Sequence, residues 1–258
     1  MRRTIAGSVA ALAAAAVVLT GCSGGSSVDD SQAAGGGSHA DHPDGMVVQA
    51  YKNIEAESFR FTSTMKADDR TVSSTGAFDV AEKVGKTNVT MPHGQALKVR
   101  MLGEDMYMSG FMGDDGWIAF DLDRFPAGNF FGAVANPVAN AEYLLAAADD
   151  VKEVSDGRYK GSLDLKKYVK KHATPEEAKR LEDALRGLDR DDMLMPFEAV
   201  VDDQGRLTQL KTTLKLQILE REMTIRHTSK FTDFGVAVDV KRPPASETRD
   251  ASDDLYMN

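Results

Sequence analysis

The chain has 258 residues, with 31 basic and 40 acidic side chains, a formal net charge of −9 and one cysteine. The acidic balance argues against a nucleic-acid partner, because phosphate binding needs clustered Lys and Arg. A single cysteine excludes an internal disulfide framework, so the fold must be held by its hydrophobic core.

The N-terminus has the pattern of an exported lipoprotein. Arg2 and Arg3 precede an apolar run over 5–19 that is too short for a comfortable membrane span. The run ends in Leu19-Thr20-Gly21-Cys22, which looks like a bacterial lipobox. We predict that 1–21 is a lipoprotein signal peptide, removed before Cys22, whose thiol then carries acyl chains such as palmitate. An ordinary signal peptide with an incidental cysteine is the alternative.

Loss of the signal peptide would leave 29 basic and 40 acidic residues, a formal charge of −11. An acidic protein is not drawn to anionic lipid, so the acylated Cys22 has to supply the attachment. We therefore predict a lipid-anchored protein on the outer face of the bacterial cytoplasmic membrane.

Residues 22–45 form the predicted lipidated N-terminus and flexible linker. The segment after Cys22 is mostly Gly, Ser, Ala, Asp and His and has no apolar periodicity. Its His39, Asp41, His42 and Asp44 could be interpreted as a metal-binding tract, but a solvated tether explains them better. No metal ligand is predicted.

The domain is predicted over 46–245, and its first half is mostly strand. It begins with a short amphipathic helix built on Val47, Val48, Tyr51 and Ile54. Apolar and polar residues then alternate through Leu122, with a hairpin turn at Gly103-Glu104-Asp105. One apolar and one polar face are typical of an antiparallel sheet.

The second half is predicted to contain helices and then strands. Asn136-Pro137 and Thr174-Pro175 are helix starts, and the first helix would carry an apolar stripe that ends at Ala148. Hairpins are predicted at Ser155-Asp156-Gly157 and Asp203-Gln204-Gly205. Val236, Val238 and Val240 are predicted to finish the sheet, and 246–258 to be a frayed tail.

These elements predict an α+β fold with a single, strongly curved antiparallel sheet of about ten strands. In this half β-barrel, the helices lie across the concave face. A two-sheet sandwich is the alternative, but it leaves the helices without a place.

Sequence motifs for catalysis are missing. Residues 21–25 match G-x-S-x-G literally, but they straddle the cleavage site and lack the flanking strand and helix. Neither His93, His172 nor His227 has an acid and a nucleophile at motif spacing. We predict that the protein is not an enzyme and that it has no catalytic residue, no cofactor and no bound metal.

Methionine and phenylalanine dominate the predicted apolar face of the sheet. Methionine is flexible and suits surfaces that accept varied apolar partners, although the same residues could fill an ordinary core. The candidate cavity residues are Phe59, Phe61, Met65, Phe78, Val89, Met91, Leu97, Val99, Met101, Met106, Met108, Phe120, Leu144 and Leu145.

Several short motifs resemble those of one lipoprotein family. They are the lipobox and tether, Ser58-Phe59-Arg60-Phe61, Asn136-Pro137 with its Leu-rich helix, Tyr159-Lys160-Gly161-Ser162-Leu163-Asp164-Leu165, and Pro196-Phe197-Glu198-Ala199-Val200-Val201-Asp202. With them the chain resembles the LppX/LprA/LprF/LprG family of actinobacterial lipoproteins and, more distantly, the periplasmic lipid carrier LolA. The resemblance implies a half-barrel whose apolar cavity holds the acyl chains of a lipid or lipoglycan.

The resemblance also implies a function and partners. We expect a membrane-anchored protein that moves acylated lipid toward the outer envelope, with a hydrophobic ligand and a membrane transporter as partners. The alternative is an envelope sensor that acts through a regulatory protein, since the same half-barrel occurs in lipoproteins that resemble the regulators of envelope-stress anti-sigma factors.

Overall fold

The computed structural model describes residues 43–110, 116–125, 145, 147–167, 193–218 and 221–256. Outside the described residues lie the signal peptide, Cys22, most of the linker, Leu144, the helix start predicted at Asn136-Pro137 and the helix predicted from Thr174.

The described residues form twelve strands in one sheet. Their bounds are β1 (Phe59–Ala67), β2 (Arg70–Asp79), β3 (Val84–Thr90), β4 (Ala96–Leu102), β5 (Asp105–Ser109), β6 (Trp117–Asp121), β7 (Ala148–Ser155), β8 (Arg158–Asp164), β9 (Leu194–Val201), β10 (Leu207–Ile218), β11 (Arg221–Thr232) and β12 (Thr248–Asp250).

The strand order is β12-β6-β5-β4-β3-β2-β1-β11-β10-β9-β8-β7. Two antiparallel meanders, β1–β6 and β7–β11, are therefore joined by the β1–β11 pair. The short β12 pairs in parallel with β6. A twisted sheet of more than about ten strands must curl, and this one remains open between β12 and β7. The predicted half-barrel is confirmed, with more strands than expected.

Side chains alternate between two faces along each strand. We call the face that carries Phe59 and Phe61 the inner face, and the face that carries Arg60 the outer face. Phe59 and Phe61 are 0% and 4% exposed, whereas Arg60 is exposed. The alternation predicted from sequence is therefore confirmed, and it defines which side of the sheet holds the core.

Helix α1 (Pro43–Glu55) lies on the inner face. Its Val47, Tyr51 and Ile54 are at most 1% exposed and belong to the same apolar core as the sheet. The helix packs on β7, β9 and β10, and the Asn53 side-chain amide donates to the Gly205 carbonyl at 2.8 Å. It begins three residues before the predicted start at Met46, because Pro43 is well suited to a first helical turn.

The prediction of a strand through Val236, Val238 and Val240 is wrong. Residues 233–244 form an extended strap without ladder pairing. The strap crosses the outer face, where Lys86 donates to the Asp239 carbonyl and Arg100 to the Lys241 carbonyl. Alternating valines suit a strand, but here the half-buried valines of the strap lie over a sheet that is already complete at this position.

The tail predicted to be frayed is ordered as far as Tyr256. Residues 248–250 form β12 at the edge of β6, and Tyr256 is 6% exposed, with its ring 5.9 Å from Phe120. The sequence of the tail has no apolar stripe, because the tail is held by the backbone pairing of β12 and by the ring of Tyr256.

Ala148 also differs from its prediction, since it begins β7 rather than continuing a helical stripe. The hairpins predicted around Gly103, Gly157 and Gly205 are all present. Each of these glycines has a positive φ, of 66°, 64° and 73°. Glycine adopts this conformation at the lowest cost of any residue, which explains why these turns could be located from sequence.

Candidate ligand-binding face

The inner face of β1–β6 is lined by a row of buried side chains. Register places Phe59, Phe78, Gly85, Met101, Met106 and Phe120 next to one another across six strands. The five side chains other than Gly85 are at most 5% exposed. We call this set the buried row, and it contains five of the candidate cavity residues.

Glycine makes room for the aromatic rings next to it. An added Cβ at Gly85 would lie 2.4 Å from the Phe78 ring, and one at Gly76 would lie 2.5 Å from the Phe61 ring. Both rings therefore occupy the space that a side chain at the neighbouring glycine would fill. Phe61 and Phe78 are in turn 6.0 Å apart, and Phe59 meets Phe231 edge-on at 5.6 Å.

The methionines cluster in the adjacent hairpin. Met101 and Met106 are register partners, and Met108 is opposite Val99. Met106, Met108 and Val99 are at most 2% exposed. These side chains contact protein atoms in the structure, so an acyl chain could enter only by displacing some of the groups that now cover them. Flexible methionines make such repacking inexpensive.

The inner face becomes half-exposed at the other end of β1–β4. Four residues along each strand, about 13 Å from the buried row, register aligns Ser63, Ser74, Val89 and Leu97. All four are partly exposed. We call them the half-exposed row. Between the two rows lies a middle row that includes Phe61, Thr87, Val99 and Met108.

Most candidate cavity residues described by the structure therefore share one face. Met65 also lies on it, next to the half-exposed row, and Leu145 is 1% exposed within the core. Met91 does not lie on the inner face, because it follows the last residue of β3 and precedes the short turn at Pro92–Gly94. It lines a polar surface depression of about 400 Å³ with Asp69, Arg70, Thr71, Pro92 and His93. Leu144 lies outside the described residues.

Three polar residues meet on the inner face at the β1–β11 pair. The Ser63 hydroxyl lies 2.7 Å from Nε2 of His227, and the Ser229 hydroxyl lies 3.3 Å from the same nitrogen. Ser63 and Ser229 are register partners. We call Ser63, His227 and Ser229 the polar cluster. It is flanked by Met65 and Thr212, the register partners of His227.

Burial keeps His227 neutral, since it lowers the pKa of the imidazole from 6.5 to about 4. A neutral ring presents one donor and one acceptor nitrogen. No hydrogen-bond partner of Nδ1 is present among the described residues.

Among the described residues, the polar cluster has only part of what a nucleophilic centre needs. A serine next to a neutral imidazole has the spacing of a nucleophile and its base. Catalysis also needs a group that orients the base and donors that stabilise an oxyanion. In the described parts of the chain no carboxylate contacts His227, and β1 and β11 are paired on both sides, which occupies their backbone amides.

Thr87 is a second polar residue on this face. It is 5% exposed, and its hydroxyl oxygen has no hydrogen-bond partner among the described residues. It occupies the middle row opposite Val99. A buried hydroxyl without a partner costs free energy, so the Thr87 hydroxyl lowers the stability of the folded protein compared with an apolar side chain of the same shape.

The sequence did not predict the polar cluster. His227 alternates with Ile225 and Ser229 as a strand residue should, but its partner Ser63 is 164 positions away. Only the pairing of β1 with β11 brings them together. Among the described residues, no group of three or more His, Cys, Asp or Glu side chains is placed to hold a metal ion. The described helices include none that is long and apolar enough to span a bilayer.

No protein-family model matches the chain, and no curated protein is significantly similar to it. Among solved structures, it is similar to the Mycobacterium tuberculosis lipoprotein LppX, with 13% identity and a TM-score of 0.44, over 76% of this chain and 98% of that one. LppX belongs to the family that the sequence motifs resemble.

Two further structures show weaker likeness. The complex of Pseudomonas aeruginosa MucA and MucB matches with 11% identity and a TM-score of 0.32, over 79% of this chain and 59% of that one. A DUF1329 family protein from Desulfovibrio piger matches with 10% identity and a TM-score of 0.28, over 77% and 93%. Scores of this size carry no argument for function, so the fold assignment rests on strand order and register.

Proposed function

We propose that the protein is a non-enzymatic, membrane-anchored lipoprotein that binds the acyl chains of a lipid or lipoglycan against the inner face of its sheet. In this proposal it carries that lipid across or toward the outer envelope. The observation that carries the proposal is the rise in side-chain exposure along the inner face. It increases from the buried row, with Phe59, Met106 and Phe120, to the half-exposed row that ends at Leu97.

The dimensions of the sheet support this proposal. Twelve strands span about 50 Å in the pairing direction, whereas a helix of 13 residues is about 20 Å long. Helix α1 packs on β7, β9 and β10, so it leaves the inner face of β1–β6 to other groups. A wide apolar face with one half-exposed end suits an elongated amphiphile better than a small polar ligand.

The energy of binding would come from desolvation of acyl chains. Each CH₂ group removed from water contributes about 0.8 kcal/mol. Part of this gain is lost when methionines such as Met101 and Met108 move aside, but their flexible side chains limit that cost. The same property would allow chains of different length or branching to be accommodated.

The anchor belongs to the proposal as well. We place acylated Cys22 in the outer leaflet of the cytoplasmic membrane and the domain within reach of it through the linker. Cys22→Ala should abolish incorporation of a clickable fatty acid into the protein. Labelling equal to that of the wild type would contradict this assignment. Fractionation alone would mislead, because an uncleaved signal segment can also retain the variant on the membrane.

The main experiment is organic extraction of the full chain purified from its membrane, followed by mass spectrometry of the lipids. A stoichiometric acylated lipid is expected. In Val89→Trp, an indole on the half-exposed row should reduce that lipid several-fold with little change in the urea midpoint, because Val89 is only partly buried.

Asn88→Trp is the matched control, since Asn88 is adjacent in β3 but exposed on the outer face. It should retain the lipid. Absence of extractable lipid from the wild type would contradict the carrier function. Co-purification of a stoichiometric protein partner in its place would favour the regulatory alternative.

A further inference from the structure

The polar cluster lies at the boundary between the buried and half-exposed parts of the inner face. Ser63 belongs to the half-exposed row, and Ser229 is its neighbour on β11. Two residues further from the boundary along β1, Phe61 is 4% exposed, and Phe59 beyond it is 0% exposed. An amphiphile whose chains lie along the buried row would bring its first polar atoms to this boundary.

The polar cluster has an unused hydrogen-bond donor. Both serine hydroxyls are close to Nε2 of His227, at 2.7 and 3.3 Å. In either tautomer a single ring nitrogen forms one full hydrogen bond, with one of the two hydroxyls. At least one serine proton therefore remains available, and Nδ1 of the ring has no partner among the described residues.

The charge of this surface selects the ligand chemistry. None of the positions in the buried, middle and half-exposed rows is Lys or Arg. A phosphate or carboxylate placed here would be a buried charge without a counter-ion, which is costly. A neutral acceptor oxygen, such as the carbonyl of an acyl ester, accepts the free donor without that cost.

We infer that Ser63, His227 and Ser229 form a subsite for the ester carbonyl that joins an acyl chain to a neutral glycerol or sugar group. This inference rests on the proposed lipid binding and adds the position and chemistry of the polar end of the ligand. Thr87 lies two strands away from β1, in the middle row, and supplies a second unused hydroxyl on the same face. The charged or sugar part of a larger ligand would project past the half-exposed row, away from the buried row.

A matched pair of lipids tests the subsite directly. The full chain in a non-ionic detergent is mixed with equal amounts of 1,2-dioleoylglycerol and its ether analogue 1,2-di-O-oleylglycerol, and the bound species are counted by native mass spectrometry. The two lipids share chains and hydroxyl and differ in the ester carbonyls. We expect the ester to be favoured about fivefold to tenfold, the factor given by one or two ordinary hydrogen bonds.

The triple variant Ser63→Ala, His227→Leu, Ser229→Ala makes the polar cluster apolar. Removing all partners together leaves no orphaned polar group, so the fold should be retained. The ester preference should fall to about one while the ether lipid still binds. Ser229→Ala alone should lower it partially and serves if the triple variant does not fold. Thr228→Val, adjacent in β11 but on the outer face, is the control and should keep the full preference.

The outcomes separate the two claims. Equal binding of ester and ether by the wild type would overturn the subsite while leaving lipid binding intact. So would a full preference that survives in the folded triple variant or, if that variant does not fold, in Ser229→Ala. If neither lipid binds the wild type, the proposed function fails and the subsite fails with it.

Discussion

Phe59 and Arg60 are neighbours in β1, yet they belong to different environments. Phe59 is 0% exposed on the inner face, whereas the Arg60 side chain is 58% exposed on the outer face, 3.4 Å from Asp233. The same contrast runs along the other strands. The inner face is mostly apolar, and its exceptions include the polar cluster, a few hydroxyl residues and Arg70 at the start of β2, whereas the outer face is rich in Thr, Lys and Arg.

The two faces therefore differ in how much their side chains contribute to the stability of the sheet. Inner-face residues are removed from water and contribute through burial. Outer-face ion pairs such as Lys160 with Glu198 are exposed to solvent and contribute little. The strap is the exception, because Arg242 bridges it to Asp105 and lies over the Tyr107 ring, which is 4% exposed. Substitutions on matched positions of the two faces should reveal this asymmetry.

The largest effect is expected for Phe59→Ala. Removing a fully buried ring that meets Phe231 edge-on should lower the free energy of unfolding by about 3–5 kcal/mol. Arg60→Ala, on the opposite face, should change it by less than about 0.5 kcal/mol. Urea unfolding followed by the fluorescence of Trp117 measures both. Equal losses at the two positions would show that the faces are not energetically distinct.

Acid should destabilise the protein through His227. Its pKa is about 4 in the folded protein and 6.5 without burial, so the unfolded chain takes up the proton first. The stabilisation is complete above pH 6.5 and is lost as the pH falls toward 4, which amounts to about 2 kcal/mol at pH 5. Urea midpoints at pH 7 and pH 5 measure this loss.

His227→Leu in the background of Ser63→Ala and Ser229→Ala should remove most of that pH dependence. Glu198 does not interfere in this range, because hydrogen bonding to Lys160 holds its pKa below 4.5 and its own contribution is lost only at lower pH. A pH dependence that persists between 7 and 5 in this variant would assign it to other groups.

Thr87→Val should have a smaller effect of opposite sign. The substitution removes a buried hydroxyl that has no partner and keeps the shape of the side chain. The free energy of unfolding should remain unchanged or rise by about 1 kcal/mol. Thr212→Val is the comparison on β10, at a position equally buried and next to His227. A clear loss of stability in Thr87→Val would mean that the hydroxyl is hydrogen-bonded.

The smallest effect is expected for Lys160→Ala on the outer face. Lys160 lies 2.7 Å from Glu198, which also pairs with Lys211 at 3.5 Å. Because all three side chains are about half exposed, unfolding should change by no more than about 0.5 kcal/mol. The pKa of Glu198 should rise toward its usual value, which NMR titration of that carboxyl can measure.

Local patterns in the sequence were enough to predict the strands of the sheet, but not the path of the chain after β11. The alternation of Phe59 with Arg60 indicated a strand, and Gly103 and Gly205 indicated turns, where the structure gives both glycines a positive φ. Each of these signals is confined to a few residues. The strap around Val238 has the same alternation as a strand, and whether it pairs depends on the sheet that it meets. Its path across Lys86 and Arg100 could not be predicted for that reason.

The candidate site was predictable only in part. Phe59, Met101 and Met106 could be assigned to one face because each strand preserves a period of two. Met91 was misplaced because β3 ends one residue earlier. The contact of Ser63 with His227 depends on the pairing of distant strands, and no local periodicity contains that information.

The junction between the two meanders has a consequence for how the protein matures. Within each meander, strands pair with their neighbours in sequence, but β1 must wait for β11, which is made more than 150 residues later. Pairings of such long range form slowly. Until β11 is available, the N-terminal meander would expose Phe59 and Phe61 on its inner face. Formation of the Ser63–His227 contact therefore reports that the two meanders have joined, and its appearance can be used to time that step of folding.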